Sequence, residues 1–130
     1  QTCALPIWGR RGEARRFYER AAAIEDARPG APSLARRHLA RVAARQRRGG
    51  EARELLHEAL LRNPNDAAAM LLLAKIYLDG NEDPAMAELL ARKSVGLHDR
   101  PEAWQTLARA LRALNREEEA RVADARALLA

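Results

Sequence analysis

One offset constrains this chain more than any other feature: the sequence resembles itself when slid by 34 residues. Ala67 to Tyr77 falls under Pro101 to Leu111, so Met70, Leu73, Ala74 and Tyr77 take the places of Trp104, Leu107, Ala108 and Leu111. A second step of the same length puts Leu39 and Ala40 beneath Leu73 and Ala74. A period of this size marks a helical unit that cannot bury its apolar face alone and stacks on copies of itself. Apolar residues at three-to-four spacing, with Leu39, Leu73 and Leu107 in equivalent places, predict helices facing a neighbour. Ala40, Ala74, Ala108, Ala52, Ala59 and Ala120 are small where paired helices approach, and a long side chain there would overpack the contact by roughly 1–3 kcal/mol. The expected fold class is all-α.

Punctuation fits that pattern. Gly49-Gly50, Asp79-Gly80-Asn81 and Asn115-Arg116 read as breaks between helices, as does Gly9-Arg10-Arg11-Gly12. Asn63-Pro64-Asn65-Asp66 ends one helix and caps the next. Asp66 is the expected N-cap of a helix over 67–79, and Ser33 of one over 33–48. Pro101 falls in the first turn of its helix, where a missing N–H costs nothing.

The residues that recur in each unit resemble the tetratricopeptide family, whose pattern runs W-x2-L-G-x2-Y on a first helix, then A-x3-F and a closing Pro on a second. The last unit carries Trp104, Leu107, Ala108 and Leu111, then Ala120 and Ala127. The middle unit carries Met70, Leu73, Ala74 and Tyr77, then Ala87 and Ala91. The first full unit carries Leu39 and Ala40, then Ala52, Leu56, Ala59 and Pro64. Gly12-Glu13-Ala14 to Ala21 matches Gly50-Glu51-Ala52 to Ala59, so a helix over 11–27 reads as the second helix of an earlier unit. Arg36, Ala43, His98 and Asp124 depart from the family pattern. The resemblance implies a right-handed superhelical array of antiparallel helix pairs: a half repeat at 11–32 and repeats at 33–66, 67–100 and 101–130. Residues 1–10 read as a leader outside the array, of which 1–7 looks like a translated sequencing adapter. In that case Cys3, the only cysteine, is not native. Asp124, where the family has a large apolar residue, together with Glu117, Glu118, Glu119, Arg121 and Arg126, reads as the charged outer face of a capping helix.

Several function classes find no support. His38, His57 and His98 fall on three different elements, so no nucleophile, base and orienting group assemble, and the chain reads as non-enzymatic. No spacing suits a metal site or a glycine-rich phosphate loop, and no cofactor is implied. No apolar run is long enough for a membrane span. The compartment, cytoplasmic or periplasmic, stays open. Arginine and alanine are abundant and Lys75 and Lys93 are the only lysines, a bias expected of a GC-rich bacterial genome.

Charge is informative by its placement. Residues 1–50 hold twelve arginines against four acids, whereas residues 51–130 hold eleven basic and fourteen acidic side chains. Arg37, Arg41 and Arg45 form a stripe at i, i+4 and i+8, a spacing at which like charges disfavour a helix. In the resembled family the first helix of each unit lines a concave groove. On that register Arg41, Lys75 and Arg109 make a ladder of positive charge, Arg37, Leu71 and Gln105 share the adjacent row, and Arg45 and Arg112 flank it. Leu71 and Leu78 are the expected apolar anchors. The resemblance therefore implies a protein-interaction scaffold that holds a peptide segment in its groove, and the residues make that peptide acidic. The asparagines that some family members pair with Lys and Arg to clamp a chain-terminal carboxylate are missing from the matching places. Two alternatives stand beside this: nucleic-acid binding through the arginine-rich half, which scarce aromatics disfavour, or an accessory domain of a larger enzyme or secretion-assembly protein.

Overall fold

A computed structural model describes residues 7–28 and 33–130, with side chains from residue 12 onward. Seven helices follow one another: α1 (Ile7–Asp26), α2 (Leu34–Arg45), α3 (Gly49–Arg62), α4 (Ala67–Asp79), α5 (Pro84–Leu97), α6 (Pro101–Ala113) and α7 (Glu117–Leu129). No strand occurs among the described residues, so the fold is all-α. Each helix packs on the ones before and after it in sequence, and α4 also touches α2 and α6.

The 34-residue period reappears in the backbone. Arg47, Asn81 and Asn115 adopt left-handed φ of 61°, 51° and 60° just beyond α2, α4 and α6. After each, the next N–H reaches back to a carbonyl in the last turn: Arg48 to Ala43 at 2.8 Å, Glu82 to Tyr77 at 2.9 Å and Arg116 to Leu111 at 2.9 Å. This is the Schellman stop, which satisfies carbonyls left over at a helix end. It also corrects two expectations. Gly49 and Gly50 do not form the break but open α3, and α2 ends at Arg45 rather than at 48, because Arg47 takes the left-handed place. Gly9 and Gly12 likewise lie inside α1, which begins within the segment read as leader. Glycine is a weak helix former, not a forbidden one, and flanking residues carry the helix through it. Cys3 and the rest of residues 1–6 lie outside the described residues, as does the connection 29–32.

The caps divide similarly. Asp66 accepts a hydrogen bond from the Ala69 N–H at 3.1 Å, as expected of an N-cap. Ser33 occupies the cap position of α2 but makes no capping bond. Glu25 at the end of α1 takes over, its two carboxylate oxygens accepting from the Ala35 N–H at 3.1 and 3.3 Å. Asp83, unforeseen in the sequence, caps α5 from a left-handed conformation by accepting from Met86 N–H at 3.1 Å, and Pro84 occupies the first helical place.

Leu56, Leu73, Leu107 and Leu111 form the core with a layer of alanines: Ala40, Ala52, Ala59, Ala74, Ala87, Ala91, Ala108 and Ala120. Tyr77 and Trp104 sit half-buried against it. The Tyr77 hydroxyl lies 3.1 Å from His57 Nε2, and the Trp104 indole N–H donates to Asp99 at 2.5 Å. On α7 the expected charged surface is only partly present, because Val122, Leu128 and Leu129 are exposed beside the glutamates. Asp124 forms an ion pair with Arg112 of α6.

Candidate ligand-binding face

The residues picked out from the sequence lie on α2, α4 and α6, of which α4 touches both of the others. Arg37 on α2 approaches Asp66 at the head of α4, Nε to Oδ2, at 4.0 Å. Lys75 on α4 is ion-paired with Glu102 on α6. Arg109 on α6 donates to Asp79 at the end of α4 at 2.6 Å. Cross-links between α4 and α6 thus hold two rungs of the expected ladder.

That pairing changes the electrostatics. A row of uncompensated cations would repel itself, but Glu102 and Asp79 neutralise Lys75 and Arg109. Both partners were missed in the sequence, where Asp79 read only as part of a helix break and Glu102 was not singled out. They stand 27 and 30 residues from their cations, separations that follow from helix packing and from no local spacing rule. Arg112 points away toward α7, where it pairs with Glu117 and Asp124. Arg41 and Arg45 are exposed and, among the described residues, have no carboxylate within ion-pair distance. They follow Arg37 at one-turn intervals on the same helix face. The positive field of this surface is therefore concentrated on α2.

The two leucines expected as anchors are not available as such. Leu71 is 8% exposed and Leu78 is 7% exposed. The reason is that four helices, α2, α3, α5 and α6, touch α4, so most of its nearly all-apolar sequence is buried. Each instead forms part of a pocket wall. Leu78 borders a pocket of about 290 Å³ with Asn81, Glu82, Pro84 and Ala113. Leu71 borders a larger one of about 330 Å³ with Arg37, Asn63, Asn65, Asp66, His98 and Arg100 around it. Gln105 is exposed on α6.

The larger pocket was not legible from motif spacing, although Arg37 and Leu71 were both singled out. Ala67, Ala68, Leu71 and Ala103 are its apolar lining residues. Ser94, which also lines it, donates to the Ala67 carbonyl at 3.0 Å. Two buried atoms at this site, Arg37 Nε and Asp66 Oδ2, have no hydrogen-bond partner among the described residues.

No three His, Cys, Asp or Glu side chains among the described residues are grouped so as to hold a metal ion. No described helix is long and apolar enough to cross a membrane. No protein-family model matches this chain, and no curated protein matches it either.

Proposed function

We propose that this chain is a tetratricopeptide-like array, a right-handed superhelix of antiparallel helix pairs, and that it works as a non-catalytic scaffold binding an acidic peptide segment. The 34-residue recurrence of side chains and of helix stops supports the architecture. The observation that carries the binding mode is the exposed pair Arg41 and Arg45, without carboxylate partners among the described residues, in line with Arg37 along α2. A charge on a surface with low-dielectric walls focuses its field outward and speeds encounter with an anionic partner. Lys75 and Arg109 contribute less, since a ligand must first displace Glu102 and Asp79. Each exposed contact is worth about 0.2–1 kcal/mol, so binding through these charges is salt-sensitive and weak.

The test is titration with a fluorescent glutamate- and aspartate-rich peptide at low and moderate salt. Arg41→Glu with Arg45→Glu should abolish binding and leave the helical circular-dichroism spectrum unchanged, whereas Arg109→Glu should weaken it far less. Equal binding by wild type and the double variant would make α2 a merely solvated face. A single-stranded RNA oligomer binding more tightly than the peptide would replace this reading with phosphate recognition.

A further inference from the structure

Among the described residues only α6 packs against α7, so the side of α7 turned away from it is bare. Ala120, Ala123 and Ala127 make the buried side. Opposite them, at i, i+4, i+7 and i+11, stand Glu118, Val122, Ala125 and Leu129, all exposed. That spacing is one straight stripe along a helix. Val122 is 62% exposed and Leu129 is 84% exposed. An outer helix that faced only water would carry polar residues in those places. An apolar stripe between charged flanks is the mark of a surface that meets a partner.

The charges of α7 define that partner. Acids fill the first turn, Glu117, Glu118 and Glu119, whereas Arg121 and Arg126 lie further along. The Glu118 side chain is 87% exposed, and its contact is Arg121 of the same helix at 3.4 Å. Arg126 is exposed, lies over the Trp104 ring at 5.5 Å and has no carboxylate partner among the described residues. Glu118 and Arg126 are eight residues apart, about 12 Å along the axis. A purely acidic segment would suit Arg126 and be repelled by Glu118, and a purely basic one the reverse. The fitting partner carries both charges at that separation on either side of an apolar stripe, and α7 run backwards is such a segment. In an antiparallel pair the acidic turn of one copy lies beside Arg126 of the other, twice by symmetry, and the helix dipoles also run in opposition. A parallel pair would set three acids against three acids. Ala125, near the middle of the stripe, is small enough for the two backbones to approach. Helix α1 also exposes apolar residues, Phe17 and Ile24, but its acids and bases alternate along the chain and select no orientation.

We propose that α7 is a self-association surface, through which two copies of this chain pair antiparallel about a twofold axis along the Glu118–Val122–Ala125–Leu129 stripe. Arg41 and Arg45 take no part, so this pairing and the peptide-binding reading stand or fall separately.

The experiment is sedimentation equilibrium of the full chain over a range of concentrations at low salt. The average mass should climb from one chain toward two and stop there, as a closed pair requires. Val122→Glu with Leu129→Glu, both at exposed positions, should hold it at one chain throughout, with the helical circular-dichroism spectrum unchanged. Charge reversal tests the orientation, and decides the matter even if that double variant loses helix. In a pair of identical copies, Glu118→Arg alone or Arg126→Glu alone sets like charges together at two contacts, and each should weaken association at least about tenfold. An equimolar mixture of these two variants restores opposite charges at both contacts and should pair as the unaltered chain does. Phe17→Ser on α1 should change nothing. A chain that stays single at every concentration, or a mixture that pairs no better than its components, would overturn the proposal. Loss of pairing with Phe17→Ser, or a mass that climbs past two chains, would do the same by showing a head-to-tail contact through α1.

Discussion

Helices α1 and α4 are held in place by different forces. α4 buries Ala67, Ala69, Met70, Leu71, Leu73, Ala74, Ile76 and Leu78, and four other helices touch it. α1 buries only Ala22 among its described side chains and leaves Phe17 69% and Ile24 62% exposed. Charge and one ring stack hold it instead. Asp26 is gripped by Arg36 of α2 and by Arg62 of α3, Arg15 pairs with Glu51 of α3, and the Tyr18 ring stacks on His38 at 5.2 Å. Apolar burial scales with area and is insensitive to small shifts in geometry. Exposed ion pairs are screened, each is worth little, and they depend on pH. Two helices in one chain should therefore fail under different conditions.

The largest effect expected is on the packed side. Leu73→Ala removes a fully buried side chain and should cost about 2–5 kcal/mol, read as a fall in the urea midpoint of the whole chain. A loss under 1 kcal/mol would mean that α4 is not the core of the molecule. Next comes local opening. Amides in the α1 segment 12–26 should exchange on the order of a hundredfold faster than those of 67–79, because little apolar contact opposes its detachment. Equal protection would erase the contrast.

Charge supplies the third prediction, by two routes. Arg36→Ala removes one of the two cations on Asp26 and the partner of Glu58 and should cost about 1 kcal/mol, confined to α1 and its contacts. Acid should act on the same helix. The hydrogen bond from Arg36 holds the Asp26 carboxyl below its usual range, and that from Arg15 does the same for Glu51. A pKa depressed on folding stabilises the folded state above the unfolded value, about 4 to 4.5, and that contribution is lost as pH falls through the depressed folded value. Protection of α1 should therefore decline in acid before that of α4 does. The reverse order would show that α1 is not held by charge.

The smallest effect is expected at the helix stops. Asn81 and Asn115 tolerate a left-handed conformation, but at the equivalent place Arg47 does not do so readily. Arg47→Gly should raise stability by about 0.5–1 kcal/mol. Asn81→Gly should change it much less. If Arg47→Gly is neutral, Arg47 does not hold the left-handed conformation in solution.

How much was legible follows the same division. The period, the identity of the core leucines and alanines, the Asp66 cap and the breaks at Asn81 and Asn115 could all be read from residue types, because each depends on neighbours within a few turns. Gly49-Gly50 misled because glycine permits a break without requiring one. The register would have pointed instead to Arg47, one repeat before Asn81. At the candidate site, Arg37, Arg41 and Leu71 were identified, but Leu71 and Leu78 were expected at a surface that packing has closed.

The amino-acid sequence alone determined that the chain is helical, where it repeats and which faces are apolar, since helix period and side-chain size are local properties. Tertiary structure alone decided which charges remain free. Lys75 and Arg109 lost their fields to Glu102 and Asp79, Ser33 yielded its cap to Glu25, and Arg37 met Asp66 at the head of α4. A charge's strength depends on what stands a few ångströms away, and in a stack of helices those neighbours are set by packing, about thirty residues away along the chain.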